Sequence, residues 1–180
     1  MVMPKNKDEL QIKRTWDEWI STVGGIGFIG KAPGTWASLI TLPLAFFLNQ
    51  TSPTLYMIFT FVVVLVGIIS SQAYENRVGE HDNSEIVIDE VAGQLITLVW
   101  IPNTISFYLG GFLLFRLFDI WKPGPIGLLD RKVKGGAGVM ADDILAGIVS
   151  GIILQFFSQS QVWVPQWAGQ IQDLLQKFLR

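Results

Sequence analysis

The stretch IFTFVVVLVGII, residues 58–69, has no charged residue and lies within an apolar segment that runs from residue 54 to residue 70. A helix that crosses a membrane needs about 20 mainly apolar residues, with a range of about 17–25. Further apolar segments cover residues 35–48, 86–101, 104–121 and 144–157. Only residues 54–70 and 104–121 reach the required length comfortably. The other three segments could instead form re-entrant or buried helices.

The composition of the whole chain favours contact with lipid. Hydrophobic residues make up 50% of the 180 residues and charged residues only 16%, whereas ordinary soluble domains have about a quarter charged residues. The formal net charge of -2 provides no basic field for binding nucleic acid. The chain has no cysteine and one histidine, which excludes disulfides, a cysteine nucleophile and a zinc site built from several histidines.

These features predict an all-α, multi-helical integral membrane protein with about four to five apolar helices. We expect a single domain over residues 1–180, because no linker or internal repeat divides the chain. Amphipathic stretches at both ends, residues 8–23 and 166–180, predict peripheral helices within residues 1–23 and 160–180. The N-terminal stretch fits a helix at the membrane interface and equally a surface helix packed on its own domain.

Positive charge marks one side of the predicted topology. The N-terminal region and the 120–141 loop carry Lys and Arg, whereas the breaks at residues 49–53 and 102–103 carry none. The positive-inside rule therefore places the N-terminus and the 120–141 loop in the cytoplasm. Charged residues close to a membrane are costly and usually functional. This topology gathers on the cytoplasmic side five acidic residues from three segments: Asp89, Glu90, Asp119, Asp142 and Asp143.

Two acidic pairs begin apolar segments. Asp89 and Glu90 are adjacent on a predicted helix and point about 100° apart, so either could be a metal ligand or a general base. Acids also suit the dipole at a helix N-terminus without any further role. Asp142 and Asp143 follow the glycine stretch 135–138, which could cradle an anion with backbone N–H groups or could simply precede helix-capping residues.

Arg116, Asp119 and Lys122 are spaced by three residues and are expected to share one helix face. The spacing could place a phosphate-binding cation beside a metal-binding acid, or it could give a plain ion pair with a solvated lysine. The arginine lies within an apolar run, FLLFRLFDIW, residues 112–121, which favours the functional interpretation.

Two loops add further candidates. Asp130 lies in the basic loop and could be a metal ligand or a partner of a neighbouring cation. The glycine-rich loop at residues 24–34 could bring Lys31 and Thr35 near a head group, or could be a turn before the first apolar segment. Hard oxygen ligands suit Mg²⁺, and Mg²⁺ beside Lys and Arg suits phosphoryl transfer.

Three blocks of the sequence resemble the phosphatidylglycerophosphatase A family of bacteria. They are KAPGTWASL (residues 31–39), IVIDEVAG (86–93) and FRLFDIWKPGPIGLLDRKVKGGAGVMADD (115–143). The first block departs at Ala37, where the family pattern has glycine. The resemblance covers roughly residues 27–151. It implies a helical, Mg²⁺-dependent enzyme that hydrolyses phosphatidylglycerophosphate to phosphatidylglycerol and phosphate in phospholipid biosynthesis, at the cytoplasmic side of the bacterial inner membrane.

By matching position, the resemblance implies a set of site residues: Asp89, Glu90, Arg116, Asp119, Lys122, Asp130, Asp142 and Asp143. The hypothesis that follows assigns the aspartates to Mg²⁺, the two cations to the phosphate and Glu90 to the role of general base. An aspartyl-phosphate intermediate stays open as a variant, and so does the oligomeric state.

Three other classes of protein make different predictions. A CDP-alcohol phosphotransferase would need a DGxxAR signature, which this sequence lacks. A membrane cation channel or carrier lined by acidic residues would place acids at mid-membrane, whereas these acids lie at segment ends. A soluble helical domain with a large core would be extracted without detergent.

Overall fold

A computed structural model describes residues 14–80, 83–159 and Lys177, apart from the side chains of residues 130 and 131. The residues described form helices and no strand, which confirms the all-α prediction over this part of the chain. A 3-10 helix, Val23–Phe28, lies between the first two α-helices. The α-helices are α1 (Trp16–Ser21), α2 (Pro33–Asn49), α3 (Pro53–Val78), α4 (Ile88–Thr97), α5 (Ile105–Trp121), α6 (Pro125–Lys132) and α7 (Gly136–Gln159).

Two helices, rather than the predicted four to five, are clearly long and apolar enough to cross a membrane. They are α3, with 26 residues, and α7, with 24. Helices α2 and α5 have 17 residues each, at the lower end of the range of about 17–25 for a span. Helix α4 has 10 residues and is therefore only about 15 Å long. The two long helices suggest a membrane protein.

The fifth apolar segment was predicted too short. Helix α7 begins at Gly136, whereas the apolar pattern alone begins at residue 144. Asp142 and Asp143 therefore lie about two turns inside the helix and do not cap it. The acids interrupt the apolar pattern but not the helix, because Asp142 pairs with Lys122 and Asp143 lies with Asp89 and Glu90.

Local sequence explains where the central helices begin and end. The hydroxyl of Ser52 accepts a hydrogen bond from the backbone N–H of Leu55 at 3.0 Å, and Pro53 follows at the first helical position of α3. Gly79, with φ 78°, ends α3, as is common after a helix. Helix α5 ends at Trp121. The next residue, Lys122, has φ 45°, and Pro123 cannot continue the helix.

Helix α4 lies at the centre of the bundle and crosses α7 at very short range. An added Cβ on Gly147 would lie 2.5 Å from the carbonyl oxygen of Gly93, and one on Gly93 would lie 2.7 Å from that of Asp143. Only glycine permits this approach. Asp89 precedes Gly93 by four residues, and Asp143 precedes Gly147 by four, so each acid lies about one turn from the crossing. The crossing thereby brings the two acids together.

The N-terminal helix α1 holds the start of α4 in place. Arg77 of α3 forms ion pairs with Asp17 (Nε–Oδ2, 2.8 Å) and Glu18 (Nη2–Oε2, 3.3 Å). The backbone N–H of Val87 donates to the carbonyl of Ser21 at 2.8 Å. The interpretation as a helix packed on its own domain therefore fits α1. The rest of the predicted N-terminal helix, before residue 14, and the predicted C-terminal helix within residues 160–180 lie outside the described residues, apart from Lys177.

Candidate active site

Three carboxylates meet at one end of the bundle. Asp89, Glu90 and Asp143 each offer an oxygen atom, and the three oxygens lie within 4.8 Å of one another. The pair on α4 comes from its first turn, and Asp143 comes from α7. We call these three residues the carboxylate triad. Carboxylate oxygens at this spacing are the ligands that a hard divalent cation prefers.

Two oxygens of the carboxylate triad are buried and unpaired. Glu90 Oε2 and Asp143 Oδ2 have no hydrogen-bond partner among the residues that the structure describes. Burial raises the pKa of Asp89 well above its usual range, and the nearby charges of Glu90 and Asp143 raise it further. Burial also raises the pKa of Glu90. Because unpaired buried charges are costly, the arrangement fits a cation that would neutralise them.

Arg116 lies beside the triad on α5. Its Nη1 atom is 3.7 Å from Glu90 Oε1 and 2.5 Å from Asp119 Oδ2. The Asp119 carboxyl also lies next to that of Asp143. Within the described part of the chain the Nε atom of Arg116 is buried without a hydrogen-bond partner. A guanidinium with an unused donor can bind an oxyanion such as phosphate.

Lys122 reaches the site from the end of α5. Its left-handed backbone conformation turns the chain, and its Nζ atom lies 2.6 Å from Asp142 Oδ2 on α7. It does not simply continue the face of Arg116 and Asp119, as the spacing of three suggested. The site therefore has two positively charged side chains, Arg116 and Lys122, at different positions, and each lies beside a carboxylate.

The first turn of α2 closes one side of the site. Gly34 lies so close to Glu90 and Arg116 that a methyl group in its place would overlap the Glu90 carboxylate. Gly34 lies in the KAPGTW block but was not among the predicted site residues, because a glycine has no side chain that suggests chemistry. Thr35 is the next residue on α2, and Lys31 is exposed on the preceding turn. Thr35 therefore follows a residue that touches the site, Lys31 lies three residues before that residue, and the suggested role of both in binding a head group stays a prediction.

The acids suggested as metal ligands occupy different positions. Asp89 and Asp143 belong to the triad together with Glu90, which the sequence analysis had suggested as a base. Asp119 and Asp142 are partners of Arg116 and Lys122. Asp130 lies on α6, and its side chain is outside the described part of the structure. The carboxylates meet at one end of the bundle, which gives the channel or carrier alternative no support.

The helical fold and this site define a class of protein: a membrane-type helical bundle whose carboxylates and cations have the composition of a phosphoryl-transfer site. The profile of the phosphatidylglycerophosphatase A family matches residues 19–158. Phosphatidylglycerophosphatase A of Escherichia coli K12 is 35% identical over 161 residues, which cover 86% of this chain and 92% of that protein.

A second relative, phosphatidylglycerophosphatase A of Haemophilus influenzae, is 40% identical over 132 residues, which cover 72% of this chain and 81% of that protein. No solved structure matches the chain. The chain belongs to the phosphatidylglycerophosphatase A family. It is accordingly a phosphatase, a hydrolase of phosphoric monoesters.

Proposed function

We propose that this chain hydrolyses phosphatidylglycerophosphate to phosphatidylglycerol and phosphate in phospholipid biosynthesis, and that it uses Mg²⁺. The observation that carries the proposal is the carboxylate triad, with its oxygens within 4.8 Å, beside Arg116 in a chain of this family. The two relatives from Escherichia coli and Haemophilus influenzae carry the name of that activity.

The residues fit Mg²⁺ on chemical grounds. Asp89, Glu90 and Asp143 supply oxygen ligands, and two of their buried oxygens have no partner in the described part of the chain. Mg²⁺ keeps several ligand positions for water and substrate phosphate and binds through a few carboxylates. When bound, the metal would neutralise phosphate charge and polarise the phosphoryl group.

The chain's own residues would bind the phosphate and move protons. The Nε atom of Arg116 donates to a phosphate oxygen, and Lys122 supplies a second positive charge. Water adds to phosphorus and gives up one proton, the bond from phosphorus to the glycerol oxygen breaks, and that proton passes to the leaving glycerol oxygen. Glu90, whose pKa is raised by burial, can accept the proton of the attacking water. Asp119 and Asp142 hold the two cations in position.

We propose that the site faces the cytoplasm at the inner membrane. The turns at the opposite end of the bundle, residues 50–52 and 98–104, contain no Lys or Arg. The end with the triad also has Lys31, Lys122 and Lys134. This asymmetry is the positive-inside pattern.

The test is phosphate release from phosphatidylglycerophosphate by detergent-purified protein, first with Mg²⁺ and then with EDTA. We expect release with Mg²⁺ and at least a tenfold fall with EDTA. Release that EDTA leaves unchanged would overturn the role of the metal. No release in either condition, from protein shown to be folded by circular dichroism, would overturn the proposed substrate.

A further inference from the structure

Gln94 lies on α4 one turn beyond Glu90, and its side chain is fully buried, with 0% exposure. Both polar atoms of its amide, Nε2 and Oε1, have no hydrogen-bond partner among the residues that the structure describes. Leaving a buried amide unpaired lowers the stability of a fold, so groups of this kind are rare in proteins and usually have a reason. The position of Gln94 beside the carboxylate triad indicates that the reason is the site.

The contacts of two neighbours on α4 show which side of the helix Gln94 occupies. Residues four apart on a helix point within about 40° of each other, so Glu90, Gln94 and Leu98 lie along one side of α4. Glu90 Oε1 is 3.7 Å from Arg116 Nη1. A Cβ added at Gly111 would lie 2.6 Å from Leu98 Cδ2. Both of these partners belong to α5, so Gln94 lies between the two contacts, on the side of α4 that faces α5.

Glu90 has an unpaired oxygen within reach of this amide. Its Oε1 atom faces Arg116, whereas its Oε2 atom is buried and has no hydrogen-bond partner in the described part of the chain. Side chains four residues apart on a helix have Cβ atoms about 5–6 Å from each other and can form hydrogen bonds. An unpaired acceptor and an unpaired donor therefore occupy neighbouring turns of the same helix side.

A hydrogen bond to Oε2 would fix the direction in which the Glu90 carboxylate points. The carboxylate contacts Arg116 through one oxygen and lies against the first turn of α2 at Gly34, and these contacts leave its second oxygen without a donor. Carboxylates that bind metals or move protons are commonly held by a hydrogen bond from a neighbouring group, which sets their orientation. Gln94 is placed to supply that bond from the buried side.

We propose that Gln94 is a positioning residue, whose amide N–H donates to Glu90 Oε2 in the working enzyme and holds the carboxylate toward the reacting phosphate. This inference rests on the proposed function, in which Glu90 accepts the proton of the attacking water. Gln94 acts through Glu90, since it is fully buried one turn below the triad. Its loss should therefore lower kcat and leave KM nearly unchanged.

The test compares Gln94→Met with Ser150→Ala. Methionine has nearly the volume of glutamine and no amide, so Gln94→Met removes both unpaired atoms without opening a cavity. Ser150 is the matched control because it is also 0% exposed with an unpaired Oγ. It lies on α7, seven residues and about 10 Å beyond Asp143. Detergent-purified proteins are assayed for kcat and KM on phosphatidylglycerophosphate, and their melting temperatures are measured in EDTA by circular dichroism.

We expect kcat of Gln94→Met to fall about tenfold with KM within about threefold of the parent value. Its melting temperature in EDTA should be equal or higher, because an unpaired buried amide has been replaced by an apolar group of the same size. Ser150→Ala should keep kcat within about twofold.

Three results would overturn the role of Gln94. The first is a kcat for Gln94→Met that stays within about twofold of the parent or falls no further than that of Ser150→Ala. The second is a rise in KM at unchanged kcat, because Gln94 would then bind substrate. The third is a lower melting temperature of Gln94→Met in EDTA, because the amide would then serve the fold. Failure of the proposed function looks different, since the parent protein itself would release no phosphate.

Discussion

The carboxylate triad is a cluster that a stable protein would avoid unless a cation bound there. Three acidic oxygens lie within 4.8 Å, and like charges this close destabilise the fold unless they are neutralised or protonated. Residues that lower stability in this way are typical of functional sites. Activity and stability should therefore respond in opposite directions when one acid is neutralised.

The variant Asp143→Asn, which removes the charge of Asp143, should lower phosphatase activity without lowering the stability of the fold. We expect phosphate release to fall by about 10²–10³-fold, because a proposed metal ligand and its charge are lost. In EDTA the melting temperature should stay equal or rise, because one of the crowded charges is gone. Activity assays and thermal melts followed by circular dichroism check both parts.

Asp17→Asn is the matched control for that variant. Asp17 is also a buried acid, at 4% exposure, but it pairs with Arg77 of α3 and contributes no oxygen to the triad. Burial raises the pKa of Asp17, yet hydrogen bonds from Thr15 and Arg77 outweigh burial and hold the pKa below its usual value. The control should lose about 1–3 kcal/mol of stability and keep its specific activity. A loss of stability in Asp143→Asn as large as that in the control would contradict the functional role.

The pH dependence of stability should reverse when the metal is added. The pKa of Asp89 is raised in the folded state, above an unfolded value of about 3.9. The folded state then binds more protons, so without metal this group lowers stability progressively as pH rises above about 4. Mg²⁺ needs the deprotonated carboxylate and should stabilise the protein more at pH 8 than at pH 5.

Melting temperatures at pH 5–8, with EDTA and with Mg²⁺, measure this effect. The variant Asp89→Asn serves as the control, because it removes the titrating group and should show a smaller gain from Mg²⁺ at pH 8. An equal gain from Mg²⁺ at both pH values in the parent protein would argue against metal binding by the triad.

At the scale of elements, the site depends on how closely α2 approaches α4 and α5. Gly34→Ala would place a methyl group onto the Glu90 carboxylate, so either α2 or Glu90 must move. We expect kcat to fall at least tenfold, since displacements of about 1 Å at a site can cost about 10²-fold. Steady-state kinetics on the lipid substrate measures the change.

Gly30→Ala is the control variant for Gly34→Ala, because nothing lies within 4 Å of a Cβ added at Gly30. Gly30 lies four residues earlier, in the loop before α2, and its variant should retain activity within about twofold. Equal activity of Gly34→Ala and Gly30→Ala would show that the first turn of α2 does not shape the site.

The crossing of α4 and α7 should be sensitive to a single methyl group. Gly147→Ala would push against the backbone of Gly93 and should lower stability by about 1–3 kcal/mol. Gly151→Ala, one turn further along α7, meets only ordinary contacts at 3.4 Å and should be close to neutral. Chemical denaturation in detergent compares the two variants. Equal effects would mean that the helices can separate at no cost.

The sequence predicted the elements better than the contacts between them. The apolar run of residues 54–70 predicted most of α3, because a long uncharged segment has few alternatives to a helix in lipid. The start of α7 was missed because Asp142 and Asp143 break the apolar pattern inside a continuous helix. The topology grouped Glu90 with Asp89 and Asp143 on one side of the membrane. The close approach of their three oxygens could not be predicted, since it depends on the glycine crossing of α4 and α7.

At the scale of the whole molecule, one end of the helical bundle carries both the triad and the positively charged loops. Helices α2, α4 and α7 begin at the end that holds the triad, and α3 and α5 finish there. The cations of the loops lie at that end, while the turn after α2 and the turn before α5 are uncharged. A bilayer around α3 and α7 would therefore leave the triad near the surface with the higher positive charge.

Labelling of single cysteines can test this orientation directly, because the chain has no cysteine of its own. Lys31 is exposed at the triad end, and Thr51 is exposed at the opposite end. In intact Escherichia coli cells, a membrane-impermeant maleimide small enough to cross the outer membrane should label Thr51→Cys. It should label Lys31→Cys only after the inner membrane is permeabilised. The reverse pattern would place the triad outside the cytoplasm, and extraction of the protein without detergent would favour the soluble helical domain, because α3 and α7 would then be core helices.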